Sequence, residues 1–144
     1  MTNLSGGYVI DASAVIKIYV REKQSEEMDR LIEASFAQRI PILVPDLIFA
    51  ECANILWKKV RRGEHSRDKV LADIEDLRVL GVVSVPTRDL AERALEIACD
   101  HGIAAYDACY VALSEQEHVP LLTADTRLAS SLSGSAFDLM VLGK

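Results

Sequence analysis

Short apolar runs alternate along the chain with longer stretches in which apolar residues recur at helical spacing. The short runs are typical of strands and cover residues 8–10, 42–44, 82–85, 121–122 and 139–142. The longer stretches predict helices over residues 12–20, 25–38, 47–60, 67–80, 87–99, 104–117 and 126–132. This alternation predicts an α/β fold with a mainly parallel sheet that helices cover on both faces. No linker or repeat interrupts it, so we expect residues 1–144 to form one domain.

Three residues predict where helices begin and end. Gly81 and Gly102 each follow an amphipathic stretch, which is the position that glycine favours after a helix. Thr87 precedes another such stretch and is expected to cap it.

Composition narrows the class of protein. The chain has 144 residues, of which 50% are hydrophobic, and no apolar run approaches the roughly 20 residues of a membrane-spanning helix. Residues 1–6 carry no positive charge before an apolar stretch, so no secretory signal is expected. Cys52, Cys99 and Cys109 are odd in number and lack metal-ligand spacing, which predicts reduced core residues of a cytoplasmic protein.

A formal net charge of −6 argues at first against a nucleic-acid partner, since Lys and Arg usually drive phosphate binding. Bound divalent cations invert the charge around a carboxylate cluster, so the net charge does not decide the question.

Acidic residues follow the predicted strands, at the edge of a parallel sheet where ligands bind. Asp11 follows the first strand and Asp125 the fourth, and each is also a good helix N-cap. Both interpretations stay open for these two residues. Asp46 and Asp89 fit capping and helix-dipole roles better, and Asp46 is kept only as a peripheral candidate.

Glu51 and Asp107 are harder to explain as ordinary surface residues. Glu51 lies within the apolar stripe of its helix, and a buried ionised carboxylate is costly unless it is paired or binds a metal. Snorkelling to solvent is the alternative for Glu51. Asn54, one turn later, is placed to support a site by hydrogen bonding. Asp107 gains from the helix dipole, which does not explain why it points along a largely apolar face.

Four segments together resemble the PIN-domain ribonucleases, and specifically the VapC-type toxins of prokaryotic toxin–antitoxin modules. The segments are residues 9–14, 44–51, 106–113 and 122–128. The resemblance implies a parallel sheet of order 3-2-1-4-5, with Asp11 and Asp125 facing each other where the order reverses. Glu51 and Asp107 match the other two acidic positions of the family. Ser13 and Thr123 match its supporting hydroxyls.

Drawn together, four carboxylates cannot all stay ionised without a cation. Oxygen ligands suit Mg²⁺ or Mn²⁺, and the histidines at 65, 101 and 118 show no ligand spacing, so zinc is disfavoured. We expect Asp11, Asp107 and Asp125 to hold the metal and activate water for RNA hydrolysis. Glu51 is expected either to bind metal or to orient the attacking water.

Two basic groups are candidates for substrate contact. One lies at the end of the third predicted helix and comprises Lys58, Lys59, Arg61 and Arg62. The other follows the first helix and comprises Lys17, Arg21 and Lys23. An ordinary solvated surface and an RNA-contacting edge both fit these groups. The resemblance further implies a VapB-type antitoxin that covers the acidic crevice, and a homodimer.

Other classes of protein fit less well. Haloacid-dehalogenase phosphotransferases usually carry a second aspartate where this chain has Ser13, and receiver domains need paired acids after the first strand. Alternatives that stay open are a stand-alone RNA-processing nuclease and a non-catalytic PIN-like interaction module, although the intact acidic quartet argues against the latter.

Overall fold

The computed structural model describes residues 4–143, which are built around a parallel five-stranded sheet. The strands are β1 (Tyr8–Ile10), β2 (Ile42–Pro45), β3 (Val83–Val85), β4 (Leu121–Thr123) and β5 (Leu139–Val141). Their spatial order is β3-β2-β1-β4-β5, and every neighbouring pair is parallel. The strand order implied by the resemblance is therefore confirmed.

Helices cover both faces of the sheet. They are α1 (Ala12–Val15), α2 (Ser25–Ala37), α3 (Leu47–Arg61), α4 (Arg67–Val79), α5 (Ala91–His101), α6 (Ala105–Glu117) and α7 (Thr126–Ser131). Every residue of β1 and of β4 is buried. Successive strand residues point to opposite faces, so burial of all of them requires cover on each face and confirms the three-layer arrangement.

The strand order reverses between β1 and β4, and this point positions the candidate site. β1 pairs with β4 through the register Ile10 opposite Leu122. The backbone N–H of Asp11 donates to the Leu122 carbonyl at 3.2 Å, which ties the end of β1 to the end of β4. α6 packs against β1, β2 and β4 and brings its first turn to the same edge.

The first helix is shorter than predicted. A continuous helix to Val20 was expected, but α1 ends at Val15 and a 3-10 turn covers Ile16–Ile18. β-branched residues are weak helix formers because their χ1 angles are restricted, and four of them fall in residues 12–20, namely Val15, Ile16, Ile18 and Val20. The tighter turn also buries Ile16, Tyr19 and Val20.

The predicted capping by Thr87 is wrong. Thr87–Asp89 forms a separate 3-10 turn, and α5 begins at Ala91. The Thr87 hydroxyl instead donates to Asp46 Oδ1 at 2.5 Å and accepts from the Leu47 N–H at 3.1 Å. Asp46 holds the N-cap position of α3 without capping it through its side chain. Asp46 therefore joins the start of α3 to the 3-10 turn at Thr87. The hydrogen bonds from Thr87 lower the pKa of Asp46.

The remaining predictions about helix ends and cysteines are partly confirmed and partly wrong. Gly102 ends α5 with φ +68°, as predicted. Cys52 and Cys109 are buried and free, but Cys99 is exposed, so its assignment to the core is wrong. The buried residues of α5 are Ala94 and Ile97. Cys99 comes two positions after Ile97, and residues two positions apart point to opposite sides of a helix, so Cys99 faces solvent. Within residues 4–143, no helix is long and apolar enough to cross a membrane.

Candidate active site

The four candidate carboxylates line one cavity of about 180 Å³ at the strand-order reversal. Its lining residues are Asp11, Ala12, Ser13, Glu51, Ile55, Asp107, Tyr110 and Asp125. They come from the end of β1, from α1, α3 and α6, and from the start of α7. The fold thus brings together the whole acidic quartet predicted from the sequence.

Asp11 is the most constrained of these carboxylates. Its side chain caps α1 by accepting from the Ala14 N–H at 3.1 Å, so the capping interpretation is correct and coexists with the cavity position. Ser13 Oγ donates to Oδ1 at 2.6 Å, and Thr123 Oγ1 donates to Oδ2. Asp11 is only 5% exposed, and burial raises its pKa from 3.8 to about 6 despite these bonds.

Asp125 also combines two roles. Its Oδ1 caps α7 by accepting from the N–H groups of Arg127 at 2.9 Å and Leu128 at 3.1 Å. Its own N–H donates to Thr123 Oγ1 at 3.0 Å. The hydroxyl that fixes Asp11 therefore also fixes the backbone of Asp125.

The Ser13 hydroxyl joins Asp11 in the same way to Ala124, the residue before Asp125. This hydroxyl donates to Asp11 and accepts from the Ala124 N–H at 2.9 Å. Ser13 and Thr123 together join Asp11 to the loop after β4. Both predicted supporting hydroxyls donate to the carboxylate of Asp11.

Glu51 faces the cavity from α3 and is partly buried. The buried hydroxyl of Tyr110, on α6, donates to Glu51 Oε1 at 2.5 Å. Burial raises the pKa of Glu51, and the charge of Asp107 raises it further. No site role was predicted for Tyr110 from the sequence. Its position three residues after Asp107, and so on the same side of the helix, was the signal that could have indicated one.

Asp107 lies in the first turn of α6 and is partly buried. Burial raises its pKa, and the nearby charge of Asp125 raises it further. The charge of Asp107 acts on the pKa of Glu51, and that of Asp125 acts on the pKa of Asp107, so the three carboxylates lie close enough to interact electrostatically.

Comparison with known proteins identifies the family. The PIN domain model matches residues 8–131. This chain belongs to the PIN-domain family. Ribonuclease VapC3 of Pyrobaculum aerophilum is 40% identical over 125 residues, covering 84% of this chain and 91% of that protein. Ribonuclease VapC9 of Mycobacterium tuberculosis is 32% identical over 123 residues, covering 85% and 89%.

The fold agrees with this assignment. The crystal structure of PAE2754 from Pyrobaculum aerophilum superposes with a TM-score of 0.65 at 27% identity, covering 89% of this chain and 81% of that one. The resemblance to VapC proteins seen in the four sequence segments is thereby confirmed across most of this PIN-domain chain.

The remaining predicted site residues lie away from the cavity. Asn54 is exposed and makes no hydrogen bond to the acidic side chains among residues 4–143. Lys58, Arg61 and Arg62 are exposed, and Lys59 pairs with Glu64 at 2.9 Å. These four basic residues are absent from the cavity lining within the described part of this PIN domain.

The other basic group is not a continuous charged surface. Lys17 is only 8% exposed and pairs with Glu22 at 3.1 Å, so neither a solvated surface nor an RNA-contacting edge describes it. Arg21 pairs with Asp29 at 2.7 Å. The turn from α1 into the 3-10 segment carries Lys17 inward, which a continuous helix did not predict.

The donor chemistry of the cavity fits a hard divalent cation, because its charged side chains are carboxylates. Among residues 4–143, however, no group of three or more His, Cys, Asp or Glu side chains is positioned to hold a metal ion. Hydroxyl groups donate to both oxygens of Asp11 and to Oε1 of Glu51. Asp11 Oδ2 and Glu51 Oε1 each accept one hydrogen bond, so each keeps a further lone pair for an ion.

Proposed function

We propose that this chain is a divalent-metal-dependent endoribonuclease that hydrolyses RNA phosphodiester bonds. We propose further that it is the toxin of a VapBC-type toxin–antitoxin system. The observation that carries the proposal is the convergence of four carboxylates on one cavity at the sheet reversal of a PIN-family chain. The identity of 40% with a protein named Ribonuclease VapC3 supports it.

Asp11, Asp107 and Asp125 would hold Mg²⁺ or Mn²⁺, with Glu51 as a further ligand or as the residue that orients water. When bound, the cation supplies an activated water and neutralises charge that develops on the phosphate. Carboxyl pKa values raised by burial mean that protons compete with the metal, so metal binding should strengthen as pH rises through about 6.

The protein's own residues supply the fixed geometry. Ser13 and Thr123 join the Asp11 carboxylate to the backbone N–H groups of Ala124 and Asp125. Pre-ordered ligands of this kind avoid the entropy cost of ordering them at each turnover. Glu51 and Asp107 complete the cavity from α3 and α6.

Partners follow from the same family assignment. We propose RNA contact by the exposed basic residues at the end of α3, where Lys58, Arg61 and Arg62 are the available cations and Lys59 is paired. A VapB-type antitoxin, a homodimer and a cytoplasmic location are proposed on the resemblance to VapC proteins.

We also propose that residues 1–144 form a single PIN domain. The family model ends at residue 131, and β5 (Leu139–Val141) extends the same sheet by pairing with β4. This pairing supports inclusion of the C-terminal segment in the domain.

The test uses the purified chain with linear and circularised single-stranded RNA and with total cellular RNA, in Mg²⁺, in Mn²⁺ and in EDTA. We expect metal-dependent cleavage that EDTA abolishes, and opening of circular RNA, which an exonuclease cannot attack. Cleavage that persists in EDTA, or no cleavage of any RNA with either metal, would contradict the proposal.

The toxin assignment has its own test. Induced expression of the chain should arrest bacterial growth, and a small open reading frame beside its gene should encode a protein whose co-expression restores growth. Growth arrest without rescue by that protein would favour a stand-alone processing nuclease.

A further inference from the structure

Tyr110 links two helices through the acidic cavity. It lies on α6, is only 1% exposed, and its ring belongs to the hydrophobic core. Its hydroxyl reaches the cavity and donates to Glu51 Oε1 at 2.5 Å, across 59 residues of sequence. The ring is thus fixed by packing, and the hydroxyl contacts a member of the quartet.

The Glu51 carboxylate depends on this bond. Among residues 4–143, the Glu51 carboxylate accepts one hydrogen bond, from the Tyr110 hydroxyl. The Asp11 carboxylate accepts three, from Ser13, Ala14 and Thr123. A glutamate side chain has three rotatable bonds, and without a fixed donor it loses its preferred orientation. A rigid donor on a neighbouring helix removes that freedom.

We propose that Tyr110 is a positioning residue, whose hydroxyl holds the Glu51 carboxylate in the orientation that metal and substrate require. The inference rests on the proposed ribonuclease function and deepens it by adding a residue that acts through Glu51. α6 thereby serves the cavity twice, through the carboxylate of Asp107 and through a hydroxyl one turn later.

The test replaces Tyr110 with phenylalanine, which keeps the packed ring and removes the hydroxyl. Tyr8→Phe is the matched control, because Tyr8 is fully buried and its hydroxyl bonds Ser35 at 2.9 Å, outside the cavity. Measurements on both variants are kcat and KM for RNA, the Kd for Mn²⁺ by calorimetry, and Tm.

For Tyr110→Phe we expect kcat to fall about tenfold, the loss typical of one hydrogen bond to a charged group. KM for RNA should stay within about twofold of the wild type, and the Kd for Mn²⁺ should rise several-fold. Tyr8→Phe should leave kcat and the Kd for Mn²⁺ unchanged even where its Tm falls. Unchanged kcat and Kd in Tyr110→Phe, or equal losses in both variants, would overturn the proposal.

A double-mutant cycle separates positioning from general stability. In a Glu51→Ala background, Tyr110→Phe should cause no further loss of kcat or of Mn²⁺ affinity, because its effect passes through Glu51. Additive losses would overturn the proposal. If the wild type binds Mn²⁺ but cleaves no RNA, the proposed function fails, and the Kd comparison still decides on Tyr110. If the wild type cleaves RNA and Tyr110→Phe matches it, only this inference fails.

Discussion

The two sides of the acidic cavity are held in different ways. On the strand side, Asp11 and Asp125 follow β1 and β4, cap α1 and α7, and share the hydroxyl of Thr123. On the helix side, Glu51 has one hydroxyl donor, and Asp107 accepts no hydrogen bond from residues 4–143. Asp11 and Asp125 therefore stabilise the fold through their hydrogen bonds, whereas Glu51 and Asp107 supply negative charge to the cavity and make few hydrogen bonds.

The largest expected effect is on Asp11. Asp11→Asn should lower RNA cleavage by about a hundredfold or more, because it removes a charged metal ligand. In EDTA at pH 7.5 the same variant should have a higher Tm than the wild type, since it removes a carboxylate that burial destabilises.

The pH dependence of this gain follows from the pKa of Asp11, which rises from 3.8 to about 6 on folding. Below about pH 4 the Asp11 carboxyl is protonated in both the folded and the unfolded state, so Asp11→Asn is no more stable than the wild type. As pH rises through 6, the wild type loses stability and the gain becomes complete. Tm should shift by roughly 2–4 °C per kcal/mol. A variant with equal or lower Tm at pH 7.5, measured by calorimetry in EDTA, would contradict this prediction.

A smaller effect is expected at Thr123, which is fully buried. Thr123→Val removes the donor to Asp11 and the acceptor for the Asp125 N–H at similar side-chain volume. We expect a loss of about 1–3 kcal/mol in the free energy of unfolding, measured by urea denaturation. Thr126→Val, at the exposed first residue of α7, is the control. Equal losses in the two variants would show that the hydroxyl link does not stabilise the strand side.

The smallest effect is expected at Asn54, which lies on α3 outside the cavity lining. Asn54→Ala should change kcat and the Kd for Mn²⁺ by less than about twofold, because the side chain is exposed and contacts no carboxylate. A loss of kcat above about fivefold with unchanged Tm would restore the supporting role predicted from the sequence.

The sequence was informative where a local pattern conflicted with itself. Glu51 and Asp107 stood out because each placed a charge on an apolar helix face, and both line the cavity. Asp11 and Asp125 could not be separated from helix caps on pattern alone. The structure explains why, since each is both a cap and a cavity residue.

Contacts between segments that are distant in the sequence could not be predicted from it. The bond from Tyr110 to Glu51 depends on how α6 meets α3, and that from Thr87 to Asp46 on the pairing of β3 with β2. Lys17 was misassigned for a local reason, because the change from α1 to a 3-10 turn redirects its side chain. Helical periodicity cannot report either kind of event.

The most direct test of the account measures Mn²⁺ binding and RNA cleavage together on the wild type, Asp107→Asn and the control Asp89→Asn. Asp89 is an exposed carboxylate in the 3-10 turn before α5 and lies outside the cavity lining. We predict that Asp107→Asn loses both Mn²⁺ binding and cleavage while keeping its fold, and that Asp89→Asn keeps both. Undiminished cleavage by purified Asp107→Asn protein would contradict the assignment of the acidic cavity as the active site.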